Sequence, residues 1–120
     1  QIDVECLACV QEPNLPERVH VAVYRIGQEA RNNAQKHADA SHVTVRLASQ
    51  DGAVTLEIAD DGKGFDPALA VGSVDIGRGL GLTSMRERVE VTGGRFELRS
   101  QTGKGTTIIA AWPESTLKLL

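Results

Sequence analysis

The sequence is poor in aromatic residues, poor in cysteine and without any long apolar run, and each shortage excludes a class of function. Only four aromatics occur, Tyr24, Phe65, Phe96 and Trp112, too few to build a platform on which nucleic-acid bases stack. Two cysteines cannot form a disulfide scaffold. No apolar stretch approaches the roughly 20 residues that a membrane-spanning helix needs, and no N-terminal stretch reads as a signal peptide. Charge of one sign is lacking too. Thirteen Lys+Arg against sixteen Asp+Glu leave a net charge of −3, which argues against a chain that coats DNA or RNA.

What is present is ordinary, with one exception. The 120 residues suit a single domain, and 41% hydrophobic with 24% charged residues is the balance of a globular chain. The exception is glycine. There are twelve, and most lie between Gly52 and Gly105.

Residues 2–10 alternate in polarity and predict a strand. In a strand the odd offset of Cys6 and Cys9 puts their sulfurs on opposite faces about 10 Å apart, so the pair reads as packing and surface residues rather than a redox or metal motif. Asn14-Leu15-Pro16-Glu17 has the form of a helix start. The helix it opens extends to about His37, with Val19, Val23, Ile26, Ala30 and Ala34 as its buried stripe. Two alternating runs, 42–48 and 53–59, flank the hairpin signal Gln50-Asp51-Gly52. A glycine-punctuated stretch fills 60–81. A second helix is expected over 82–92, with Leu82, Met85 and Val89 inward and Gly93-Gly94 as its stop. A second hairpin, 95–101 and 106–112, turns at Thr102-Gly103-Lys104-Gly105. Helices set against hairpin-connected strands predict an α+β sandwich of two layers.

Three segments carry candidate chemistry. On the first helix, Glu29, Asn33, Lys36 and His37 fall within an arc of about 100° at the edge of the apolar stripe. This sector combines oxygen ligands suited to Mg²⁺ with cationic donors suited to phosphate; a solvated helix face is the plain alternative. Asp60-Asp61-Gly62-Lys63-Gly64-Phe65 follows a strand, where a carboxylate and alternate glycines let a flat ligand approach the backbone. An Asp there can accept from an exocyclic amine, although a surface turn would look similar. Gly77-Arg78-Gly79-Leu80-Gly81-Leu82 opens the second helix, where free N–H groups and the helix dipole favour an anion. It matches neither the dinucleotide nor the P-loop fingerprint.

In combination these segments are specific. Glu29-x-x-x-Asn33-x-x-Lys36-His37, Asp60-x-Gly62-x-Gly64, Gly77-x-Gly79-Leu80-Gly81-Leu82 and Gly105-Thr106, in that order, resemble the ATP-binding domain of the gyrase, MutL and histidine-kinase superfamily. The stretches Tyr24–Ala38 and Gly79–Val89 look more closely like bacterial two-component sensor histidine kinases. The subfamily resembled is the one whose response regulators carry a LuxR-type DNA-binding domain. The resemblance runs from about Leu15 to Pro113.

It implies a mixed sheet covered on one face by helices, the Bergerat-type ATP-binding fold, with Mg²⁺ and ATP as cofactors. By the same resemblance Asn33 ligates the metal, and Glu29 holds a metal water or polarises the nucleophile. Lys36 and His37 contact phosphates. Asp60 accepts from the adenine amine, aided by a water that Thr106 or Thr107 also holds, and Gly62 and Gly64 shape the adenine pocket. Gly77 to Leu82, including Arg78, Gly79, Leu80 and Gly81, would end a short mobile lid over the triphosphate. None of His20, His37 and His42 sits in a helical hairpin preceding the domain. The chain therefore reads as a single ATP-binding catalytic domain over 1–120 with its dimerisation and phosphoacceptor segment elsewhere. The expected whole is a homodimeric kinase, membrane-anchored or soluble, with this domain in the cytoplasm and no direct nucleic-acid contact. Two other readings compete: a serine kinase or ATPase of the same superfamily, and a non-catalytic nucleotide-binding module. Lys36-His37 and Met85-x-Glu87-Arg88 favour the histidine kinase over the first, and retained Glu29, Asn33 and Asp60 count against the second.

Overall fold

The computed structural model describes residues 3–8, 16–36, 40–50, 52–64 and 82–115. Strand β1 (Asp3–Ala8) leads to helix α1 (Glu17–Lys36), then strands β2 (His42–Gln50) and β3 (Ala53–Asp60). Helix α2 (Leu82–Val91) and strands β4 (Arg95–Ser100) and β5 (Thr106–Trp112) complete the order. The five strands form one sheet in the order β1-β2-β3-β5-β4. The sheet is mixed: β1 lies parallel to β2, and every other pair is antiparallel. A parallel pair needs a long crossover, and α1 supplies it. Cys9 lies outside the described residues, while Cys6 stands in β1 opposite Val45. Among the described residues, no helix is long and apolar enough to cross a membrane.

Period-2 patterning builds the sheet's inner face. Val54, Leu56 and Ile58 of β3 and Ile108, Ala110 and Trp112 of β5 are buried, and their neighbours in sequence are only partly covered. Both helices pack on this face. Val19, Ile26, Ala30 and Ala34 of α1 join Met85 and Val89 of α2 and the strand residues in one core. The expected α1 stripe is corrected at one edge. Val23 is only partly buried, whereas Ala22, on the flank shared with Glu29 and Asn33, is 5% exposed. Val23 still packs against the core and Ala34 beyond it is fully buried, so the stripe is widened toward the polar residues and the core reaches their side of the helix.

Helix ends are closed by local bonds. The Pro16 carbonyl accepts the first helical bond of α1, from the His20 N–H at 2.9 Å, so the proline that lacks an N–H stands where none is needed. At the end of α2, the Gly93 N–H donates to Glu90 O (3.0 Å) and the Gly94 N–H to Val89 O (2.9 Å), a Schellman closure. Thr92 completes it. Its hydroxyl lies 2.8 Å from Val89 O and 3.1 Å from Arg88 O, and accepts from the indole N–H of fully buried Trp112 at 2.9 Å. One side chain thus satisfies a helix end and the largest core residue. Thr92→Val keeps the shape and leaves the indole N–H without its acceptor, a loss of about 1–3 kcal/mol. Urea denaturation should show that loss for Thr92→Val and little change for Thr92→Ser; equal stability of all three proteins would contradict the role given to the hydroxyl.

Candidate functional site

The site begins where the apolar face of the sheet turns polar. Leu98, Ile108, Ile58 and Val45 lie side by side across β4, β5, β3 and β2. Two residues further along each strand, on the same face, the row reads Ser100, Thr106, Asp60 and Val43. A carboxylate on the core side of a sheet must be satisfied. Asp60 Oδ1 accepts from the Gly62 N–H at 2.9 Å and from the Thr106 N–H at 3.3 Å. Among the described residues nothing donates to Asp60 Oδ2. The Thr106 hydroxyl lies 2.8 Å from the Ser100 hydroxyl, which is 3.1 Å from Gly105 O. Burial pushes the Asp60 carboxyl above the ordinary aspartate range, against the lowering effect of the Gly62 and Thr106 amides, and the adjacent Asp61 charge adds a small upward push.

Two turns meet backbone to backbone beside this row. The Gly103 N–H donates to Lys63 O at 2.5 Å. Gly64 has φ +61°, and a Cβ there would run into the carbonyl oxygens of Gln101 and Gly105. Gly105 has φ +83°, and a Cβ there would strike the carbonyl of Asp60. Side chains are excluded at both positions by conformation and by space. Gly62 is buried between these turns and its neighbours.

Asp61 faces the other way. Its Oδ1 accepts from the Ser41 N–H (2.7 Å) and the His42 N–H (2.9 Å), and its Oδ2 lies 3.4 Å from His42 Nδ1. The His42 amide, aided by the Ser41 amide and the His42 side chain, holds this carboxyl below the ordinary range despite some opposing desolvation. Adjacent carboxylates thus serve two different elements.

Helix α1 packs on β2 and β3. Glu29 and Asn33, one turn apart, are half-buried on the flank next to Ala22 and Ile26. Among the described residues no group of three or more His, Cys, Asp or Glu could hold a metal by itself. A carboxamide and a carboxylate one turn apart nevertheless suit Mg²⁺, which keeps most of its ligands from water and phosphate. The structure separates the two threonines between which the sequence left the choice open. Thr106 shares the face of Asp60, whereas Thr107 pairs with Ala59 and Arg99 on the opposite face. Leu82 is the first residue of α2 and is half-buried. His37, Arg78, Gly79, Leu80, Gly81, the rest of the expected lid and the Lys36 side chain lie outside what is described. An open depression lined by Arg99, Ser100, Gln101, Lys104, Gly105 and Thr107 surrounds the β4–β5 turn. It is solvent-open and Asp60 does not line it, so the site is assigned to the Asp60 row.

Sequence reasoning passed over Ser100, Gly105 as a contact to Asp60, and Asp61. The register of the 95–112 hairpin could have located Ser100 beside Thr106. No sequence signal assigns the second of two consecutive aspartates to a different strand.

Residues 19–116 match the family described as histidine kinase-, DNA gyrase B- and HSP90-like ATPase. The chain is 42% identical over 102 residues to the signal transduction histidine-protein kinase/phosphatase DegS of Brevibacillus brevis, covering 84% of this chain and 25% of the relative. It is 34% identical over 115 residues to DegS of Bacillus subtilis (strain 168), covering 96% of this chain and 29% of the relative. The chain thus spans between a quarter and a third of the length of these curated relatives. Among solved structures, a blue-light activated histidine kinase of Erythrobacter litoralis superposes with a TM-score of 0.76 at 24% identity, over 99% of this chain and 37% of that one. Full-length ShkA in complex with AMPPNP gives a TM-score of 0.70 at 22% identity, over 93% of this chain and 25% of that one. The two structures share the α+β fold, and the family match over residues 19–116 makes this protein a member of the histidine kinase-, DNA gyrase B- and HSP90-like ATPase family.

Proposed function

We propose that the chain binds Mg·ATP between α1 and the polar end of the sheet and transfers the γ-phosphoryl group to a histidine on a separate dimerisation segment. A response-regulator aspartate then takes the group from that histidine. The observation that carries this reading is Asp60: a half-buried carboxylate tied by one oxygen to two backbone amides. With Oδ1 so occupied, Oδ2 is the oxygen that accepts from the adenine amine. Thr106, on the same face, holds the bridging water, and Gly62 and Gly64 let the flat base lie against the backbone. This favours Thr106 over Thr107 for that role.

Asn33 contributes a side-chain oxygen to Mg²⁺, and Glu29 holds a metal water or polarises the attacking histidine. Lys36, His37 and Arg78 meet phosphate oxygens, and the amides near Gly79, Leu80, Gly81 and Leu82 cover the triphosphate. Bound Mg²⁺ supplies charge neutralisation on the β- and γ-phosphates, and the remaining work is positioning. The DegS relatives are named as signal transduction histidine-protein kinases/phosphatases, which supports phosphotransfer through a histidine. By family resemblance that regulator has a LuxR-type DNA-binding output, and the whole kinase is a homodimer with this domain in the cytoplasm.

Three outcomes test the reading. A carboxylate at Asp60 faces a donor in adenine and an acceptor in guanine, so ATP should bind well above GTP. Asp60→Asn should weaken ATP by about tenfold or more while the domain stays folded; equal calorimetric binding of ATP and GTP by the wild type would remove Asp60 from the role. Asn33→Ala should reduce the gain in ATP affinity that Mg²⁺ brings and abolish phosphotransfer to a supplied acceptor domain, and wild-type transfer by this variant would exclude Asn33 as ligand. Alone, the 120-residue chain should label negligibly with γ-labelled ATP. Added dimerisation segment should restore an acid-labile, base-stable product, and strong labelling of the chain itself at His20, His37 or His42 would refute a separate acceptor.

A further inference from the structure

We propose that Asp61 is a positioning residue for the nucleotide, which clamps the start of β2 to the adenine-side turn and so holds the two halves of the site at the spacing of one bound ATP. The inference rests on the nucleotide-binding reading above and assigns a residue that reading does not use.

The geometry is a chain of short bonds. Asn33 stands on the last turns of α1, and its neighbour Ala34 accepts from the Ala40 N–H at 3.2 Å. Ala40 itself is buried in the core. The next two amides, Ser41 and His42, converge on Asp61 Oδ1 at 2.7 and 2.9 Å. The Asp61 N–H in turn donates to His42 O at 3.2 Å. Asp60 precedes Asp61 in the chain. From the helix turn that holds Asn33 to the carboxylate that faces adenine, the path is therefore Ala34, Ala40, Ser41 and His42, Asp61, Asp60.

The side chain at 61 is not there to fill space. Its carboxylate is half-exposed, with 50% of the side chain open to solvent. One oxygen receiving two successive backbone amides is an arrangement that favours an anionic acceptor. Remove it, and the β2–β3 ladder still pairs Val43 with Asp60, so the fold retains its register. What loosens is the last stretch between α1 and the adenine-side turn. A ligand that touches both halves should feel that change, whereas one that touches only the adenine half should not. A residue acting only on stability would affect the two ligands alike.

The test uses the full chain, a non-hydrolysable ATP analogue with Mg²⁺, and adenosine. Asp61→Ala should weaken the analogue by about tenfold in calorimetry and change adenosine affinity by no more than about twofold in ligand-observed NMR. Asp61→Asn keeps an oxygen for both amides and should bind both ligands within about threefold of wild type. If Asp61→Ala does not fold, Asp61→Glu, which displaces the carboxylate by one methylene, should show the same selective loss for the analogue. Unchanged or equal losses for the two ligands, or failure of Asp61→Asn to rescue, would overturn the positioning role. Because Asp60→Asn is measured in parallel, the two failures separate. A wild-type chain that binds no analogue overturns the nucleotide reading and this inference together; one that binds it, responds to Asp60→Asn and ignores Asp61→Ala overturns this inference alone.

Discussion

A carboxylate placed on the inner face of a sheet is the constraint from which the rest of this site follows. Asp60 continues the buried series Val54, Leu56 and Ile58 by one more step of the strand. An unpaired acid there would cost several kcal/mol. The neighbouring backbone offsets that cost by bringing the Gly62 and Thr106 amides to a single oxygen. To do so, the turn after β3 and the turn before β5 must touch, which leaves no space for a Cβ at Gly64 or Gly105. The glycines are thus the consequence of an acid held in a wall of backbone, and the other oxygen of that acid accepts no bond among the described residues.

The same economy applies to α1. Its buried stripe, which extends to Ala22, carries Glu29 and Asn33 at the boundary of the core rather than on a free surface. Their positions are therefore set by the packing of Val19, Ile26, Ala30 and Ala34 on the sheet. The groups proposed to meet metal and adenine stand on elements that share one hydrophobic core.

Much of the fold was legible from periodicity. The alternations at 42–48, 53–59 and 106–112 became strands β2, β3 and β5, and the 3.6-residue pattern from Val19 to Ala34 became α1. These patterns are strong because each reports a single face meeting a single core. Boundaries shifted by a residue or two, since the last turn of a helix or the end of a strand is decided by caps such as Thr92. Ala22 joined the stripe and Val23 stayed at its partly buried edge, because a helical stripe read from hydrophobicity alone cannot report how far the second helix and the sheet cover it.

For the site, the linear order alone determined which residue types are available and that they belong to one family: Glu29, Asn33, Asp60, Gly62, Gly64 and Thr106 are all visible as spaced motifs. Tertiary structure decided what those motifs could not. Strand register put Thr106 with Asp60 and turned Thr107 to the other face. It also sent the two consecutive aspartates to different partners, Asp60 to β5 and Asp61 to the start of β2. The physical reason is range. Periodicity and motif spacing arise from neighbours within a few residues, whereas the bonds from the two aspartates to Ser41, His42 and Thr106 join residues 19 to 46 positions apart, a distance along the chain over which only the assembled sheet sets direction.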